Sequence, residues 1–179
     1  MKTCSLYGFI LAISIAVLTL VLYFLGLHSD PARLTTAKWV GGLAGFAISV
    51  AVTVIGIKAR RAEVPESEEF GYGRALGAGV LISVVASVLG AIFNFVYMAY
   101  INPGYSEVLL QDQMDKLQAK GLSAAQLDQA EKMTRMFMGP LPASLFGLLF
   151  GVIFGVVIAL VLAAFLKRPA QKLPPPVQA

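Results

Sequence analysis

Four long stretches of this chain contain no Asp, Glu, Lys, Arg or His: Thr3 to Leu27, Trp39 to Ile57, Ala75 to Ser106 and Met136 to Leu166. Each matches or nears the roughly 20 residues needed to cross a hydrocarbon core about 30 Å thick. The lack of ionisable groups within them argues against proton- or ion-coupled transport, which places such residues inside the bilayer. A small multidrug exporter of similar length would carry an intramembrane carboxylate. Cysteine is as scarce: Cys4 stands alone, so neither an intramolecular disulfide nor a Cys-based zinc site can form. His28 is the only histidine and with Asp30 makes an incomplete set for a metal or general-base site, so it reads as an interfacial loop residue. The glycines of Gly71-Tyr-Gly-Arg-Ala-Leu-Gly77 have no strand before them and do not make a phosphate loop. The chain is therefore expected to be no enzyme and to hold no metal or cofactor.

What is present is apolar: 58% of 179 residues are hydrophobic and 13% charged. An all-α polytopic membrane protein follows, with helices near Ser5–Leu27, Trp39–Ile57, Ala75–Ile101 and Leu141–Leu166. The first stretch exceeds the 7 to 15 apolar residues of a signal core and ends without a small-x-small site, so it is expected to persist as a helix. The net charge of +4 comes from Lys and Arg gathered beside helix ends, an arrangement that fits lipid headgroups and not nucleic acid. Lys2, Lys58, Arg60, Arg61, Arg74, Lys167, Arg168 and Lys172 lie on one side, against Arg33, Lys38 and Arg135 on the other. This asymmetry predicts both termini in the cytoplasm and the Asn102–Pro140 segment outside.

Between the third and fourth spans the pattern predicts an amphipathic helical hairpin over residues 103–139. Leu110, Met114 and Leu117 recur at helical spacing, Gly121 stops that helix, and Ser123-Ala-Ala-Gln126 is a capping box for the next. Leu127, Ala130, Met133 and Phe137 then form an apolar stripe, expected in part to close on the first hairpin helix. Met133, Met136 and Phe137 are the candidate partner-binding residues. Glu63, Glu66, Glu68 and Glu69 in the loop before the third span read as a solvated turn. Residues 1–168 form one domain, and 169–179 read as a Pro-rich disordered tail.

Small residues give the most specific signal inside the spans. Gly147, Gly151 and Gly155 belong to a row at intervals of four in the last span, and Gly79, Ser83 and Ser87 to one in the third. Such rows let helix backbones approach closely where lipid leaves no hydrophobic drive to association. Asn94 is the strongest polar group within a span and reads as an interhelical hydrogen-bonding residue. Whether the rows meet within one chain or between chains stays open at this level.

The order of features resembles a bacterial membrane family known as domain of unknown function 4199. Lys38-Trp39, Phe70-Gly71-Tyr72-Gly73, Tyr100-Ile-Asn-Pro-Gly-Tyr105, Gly121-Leu-Ser123 and the Gly-rich last span ending in Lys167-Arg168 carry the likeness. The resemblance implies a four-helix inner-membrane protein and no activity, substrate or catalytic residue. The leading functional expectation is membrane assembly or partner binding through the hairpin, with the bilayer and a protein partner or second copy as companions. The alternative is a component of a small oligomeric transporter or channel with a polar seam at Asn94, Ser83 and Ser87.

Overall fold

A computed structural model describes residues 1–170 of the chain; the expectation for the Pro-rich end from Gln171 on lies outside them. Six helices follow in order: α1 (Lys2–Phe24), α2 (Pro31–Ala62), α3 (Tyr72–Val96), α4 (Tyr105–Ala119), α5 (Ala124–Phe137) and α6 (Pro140–Leu166). α1, α2, α6 and α3 with its continuation to Ile101 are each long and apolar enough to span a membrane. The protein is thus an all-helical, four-span bundle with a helical hairpin between the third and fourth spans.

α2 begins at Pro31 and not at Trp39, because counting charge-free residues halts at Lys38 while the helix has an earlier start signal. The Asp30 side chain accepts the Ala32 N–H at 2.9 Å, and Pro31 occupies the first turn, where its missing N–H costs nothing. Upstream, α1 ends at Gly26, whose φ of +73° favours glycine. The chain reverses there, with Leu27 N–H bonded back to Leu22 O at 3.0 Å, and carries His28 into the bundle.

α3 is the central helix. It packs most extensively on α6 and next on α1, which also covers α2; α2 and α6 meet only sparsely. The α3–α6 seam is antiparallel and built from the two small-residue rows. A β-carbon built on Gly79 would stand 2.7 Å from Ala159 Cβ, and one on Gly151 2.8 Å from Ser87 Oγ. Gly155 abuts Ser83 more closely still. Farther along, Asn94 Nδ2 donates to Ser144 Oγ at 3.0 Å, and Ser144 donates to Pro140 O at 2.6 Å. Gly147 departs from the packing expectation: nothing lies within 4 Å of where its β-carbon would be. A row at spacing four rotates about 40° per step against a 3.6-residue turn, which by Gly147 has carried the row off the contact.

The two ends of the bundle differ in packing. On the side where α1 begins and α6 ends, Cys4, Ile57, Phe70, Ala75, Ile82 and Leu166 form one buried cluster. Phe70 and Arg168 exchange backbone hydrogen bonds of 2.9 and 2.8 Å, and Arg168 also donates to Val64 O and Pro65 O. Thr3 bonds Glu63, which ties α1 to the end of α2. The hairpin side is looser and is roofed by α4, which docks on α2. α5 pairs with α4 through Arg135 Nη1 and Glu107 Oε1 at 2.6 Å.

The hairpin follows its sequence signals. Gly121 has φ +78°, and Ser123 and Gln126 form the reciprocal capping box. Its stripe is arranged differently from the expectation. Leu127, Ala130, Glu131 and Thr134 are the half-buried positions of α5, while Met133 and Phe137 are exposed and do not close on α4. At about 100° per residue Phe137 lies only about 20° from Ala130 and Met133 about 60°, so both sit at the margin of the face that Leu127, Ala130 and Thr134 turn inward, and their longer side chains reach past it.

Candidate functional site

Sparse packing between α2 and α6 leaves a cleft of about 430 Å³ in the hairpin half of the bundle. Thr53, Ser83 and Ile158, all buried, stand at its closed end, next to the packed cluster. Gly41, Gly45 and Ser49 of α2, Ser87 and Asn94 of α3, and Gly147 and Gly151 of α6 line the rest. Two of the hydroxyls that line the cleft bond within their own helices: Ser49 donates to Gly45 O at 2.7 Å and Ser83 to Gly79 O at 2.9 Å. Asn94 commits its amide N–H groups to Ser144 and to Met98 Sδ, which leaves its carbonyl oxygen as the acceptor on a residue that lines the cleft. Phe46 and Phe154 flank the gap between α2 and α6, with ring centroids 6.1 Å apart and each side chain about half exposed.

Toward the hairpin the cleft adjoins a chamber of about 260 Å³ that shares Ile15, Gly41, Gly45 and Asn94 with it. His28, Lys38, Tyr97 and Tyr105 border this chamber on the hairpin side, where the Lys38 side chain is half exposed. Tyr97 begins a stretch where α3 widens into a π-type turn, Asn102 N–H bonding Tyr97 O at 2.7 Å. Its ring is 1% exposed, edge-on to Tyr23 and Tyr105 and stacked near Phe93. Asn102 Nδ2 donates to Tyr97 Oη at 3.0 Å, so the tyrosine uses its own proton toward His28 Nδ1, 2.7 Å away. The imidazole is then the Nε2–H tautomer, with that N–H as its remaining donor. Burial lowers the His28 pKa, which keeps the ring neutral at pH 7. Burial, with Tyr97 and Asp112 nearby, pushes Tyr105 up to about 12, so its phenol stays protonated.

The roof is held by a shared carboxylate. Asp112 of α4 is 6% exposed and takes Lys38 Nζ of α2 at 2.6 Å and Lys116 Nζ at 2.7 Å. Burial opposes its ionisation, but hydrogen bonds from Lys116 and Lys38 outweigh that and hold its carboxyl below the usual value. Two ammonium groups on one carboxylate leave the cluster with a net charge of +1.

Of the residues singled out in the sequence, Gly79, Ser83, Ser87, Gly151, Gly155 and Asn94 gather along α3–α6, and all but Gly79 also line the cleft. Gly147 lines the cleft without packing. Met133, Met136 and Phe137 lie elsewhere, 56%, 68% and 47% exposed on α5. Phe137 sits 5.7 Å ring to ring from exposed Phe146 of α6, so this patch is continuous with the outward surface of that span. Sequence reasoning missed His28, Tyr97, Asn102, Tyr105 and the Lys38–Asp112 pair. The clustering of Tyr97, Asn102 and Tyr105 at the end of a span was their one visible signal, and it reads equally as an interfacial aromatic belt. On the opposite side, a depression of about 510 Å³ is bordered by charges that pair with each other, Arg60 with Glu63 and Arg74 with Glu68.

The model of a family described as "Protein of unknown function (DUF4199)" matches residues 6–168. No curated protein matches the chain, and no solved structure does.

Proposed function

The chain belongs to the DUF4199 family, and from that premise and the geometry above we propose that it is a non-enzymatic, membrane-embedded binding protein of the bacterial inner membrane. Both termini lie in the cytoplasm and the hairpin outside, on the distribution of Lys and Arg beside the helix ends. The observation that carries the reading is the one-sided cleft. The cleft and the depression on the opposite side share no lining residue, so a guest held in the cleft has no continuous path through the bundle, which favours binding over a channel. The volume of about 430 Å³ is in the range of small-molecule sites.

Native mass spectrometry of protein released from mild detergent tests this. Wild type is expected to retain a bound small molecule. Gly45→Leu should lose it, because a β-carbon there meets only Ile15 and Leu18 at 3.7 and 3.9 Å and a larger side chain fills the cleft without a backbone clash. Bare wild-type protein, or equal retention by both, contradicts the reading.

A second reading, assembly with a protein partner or second copy through the hairpin, is favoured by the exposure of Met133, Met136 and Phe137. Photocrosslinkers at Met133 and Phe137 in living cells test it. Crosslinks to another chain are the expected result, and crosslinks confined to the same chain would sink it.

A further inference from the structure

The proposed cleft and its adjoining chamber divide sharply by chemistry. Among the described residues lining the cleft there is no charged side chain: glycine, alanine and aliphatic groups surround it with the neutral polar groups of Ser49, Thr53, Ser83, Ser87 and Asn94, and Phe46 and Phe154 stand at its edge between α2 and α6. Among those lining the chamber, Lys38 is the one charged residue. The Asp112 carboxylate that partners Lys38 is shared with Lys116, so it neutralises only one of two ammonium groups. His28 adds a neutral N–H donor on a residue that is 7% exposed and lines the same chamber. An apolar pocket thus leads into a small donor-rich chamber with an uncompensated positive charge. Phe46 and Phe154, ring centroids 6.1 Å apart and each half exposed, meet across the gap between α2 and α6 and close the apolar part off from the outer surface of the spans.

Resting on the cleft reading above, we infer that the guest is a single-chain anionic amphiphile, its acyl chain in the cleft and its carboxylate or phosphate head in the chamber against Lys38 and His28. Charge complementarity fixes the sign of the head. A cationic head would meet the Lys38 ammonium with its carboxylate already shared by Lys116, and a neutral head would add no charge to answer it. Entry from the bilayer between α2 and α6 requires the touching Phe46 and Phe154 rings to part. Lys38 and His28 are binding residues here; Tyr97 is a positioning residue that fixes the imidazole tautomer from the far ring nitrogen.

The test uses the intact protein in a neutral maltoside detergent and two fluorescent probes, cis-parinaric acid and its methyl ester. The acid is expected to bind at least tenfold more tightly than the ester. Lys38→Gln should weaken the acid about tenfold more than it weakens the ester, and Lys38→Arg should restore the acid. Oleate and monooleoyl phosphatidate serve as competitors that tell a carboxylate head from a phosphate one. Displacement by either supports the inference, and displacement by neither overturns it. Acid and ester binding equally, with both lost in Gly45→Leu, would leave the cleft and remove the anionic guest. Binding of both probes that Gly45→Leu does not touch would remove the cleft reading itself.

Discussion

Tyr97 connects more of the hairpin side than any other single residue, because its hydroxyl is bonded by two buried groups from separate parts of the chain. Tyr97→Phe removes that hydroxyl and leaves His28 Nδ1 and Asn102 Nδ2 without it. Each buried polar group left unpaired costs about 1–3 kcal/mol. A loss of several degrees in thermal unfolding in detergent is expected. His28 predicts a pH dependence with a definite sign. Its folded pKa is below the ordinary 6.5, so the folded state takes up the proton less readily than the unfolded one. Its stabilising contribution is complete above 6.5 and is lost as pH falls below it. Thermal stability should therefore drop between pH 7 and pH 5, and His28→Gln should flatten that slope. None of this was legible in the sequence. A lone histidine in a four-residue neighbourhood of Leu, Ser and Asp carries no hint that a tyrosine 69 positions later receives it.

At the scale of elements, the α3–α6 seam makes glycines of one row unequal. Gly155→Leu forces a side chain into Ser83 and its backbone, and overpacking of this kind costs about 1–3 kcal/mol or more. Gly147→Leu enters open space and should leave thermal stability within the ordinary spread of surface substitutions. Equal destabilisation by both would mean that the contact face of α6 is assigned wrongly. The hairpin depends on one carboxylate, so Asp112→Asn should free α4 from α2, read as faster proteolysis between Gly104 and Phe137. The Asp112 pKa is lowered below the usual 3.8, so this docking is expected to hold at pH 5 and fail only as pH falls below about 3.8. The rows, the capping box at Ser123 and the Gly121 stop were all readable from spacing, since local backbone rules decide them. The start of α2 was missed because a cap made by Asp30 and Pro31 outranks the charge-free count that stops at Lys38. On α5 the Leu127 and Ala130 part of the stripe turns inward and the Met133 and Phe137 part stays exposed, a division that the helical period alone does not give because it depends on how narrow a surface α4 offers.

At the scale of the molecule, four-span architecture follows from where charge is missing, and hydropathy is enough to read it. The cleft is another matter. It is a failure of α2 and α6 to meet, and no residue announces a contact that is not made; Gly41, Gly45 and Gly147 look the same in sequence as glycines that pack. The account rests on the claim that the bundle is closed at the end where the termini gather and open beneath the hairpin, which is proposed to face away from the cytoplasm. Single cysteines in a Cys4→Ser chain test this most directly, at Ser87 in the cleft and at Ala163 in the packed cluster. A membrane-impermeant maleimide is applied either to spheroplasts or to inside-out vesicles. The account predicts labelling of Ser87→Cys from the spheroplast side alone, abolished by adding Gly45→Leu, and no labelling of Ala163→Cys from either side. Labelling of Ser87→Cys only in inside-out vesicles, or of Ala163→Cys as readily as Ser87→Cys, would contradict it.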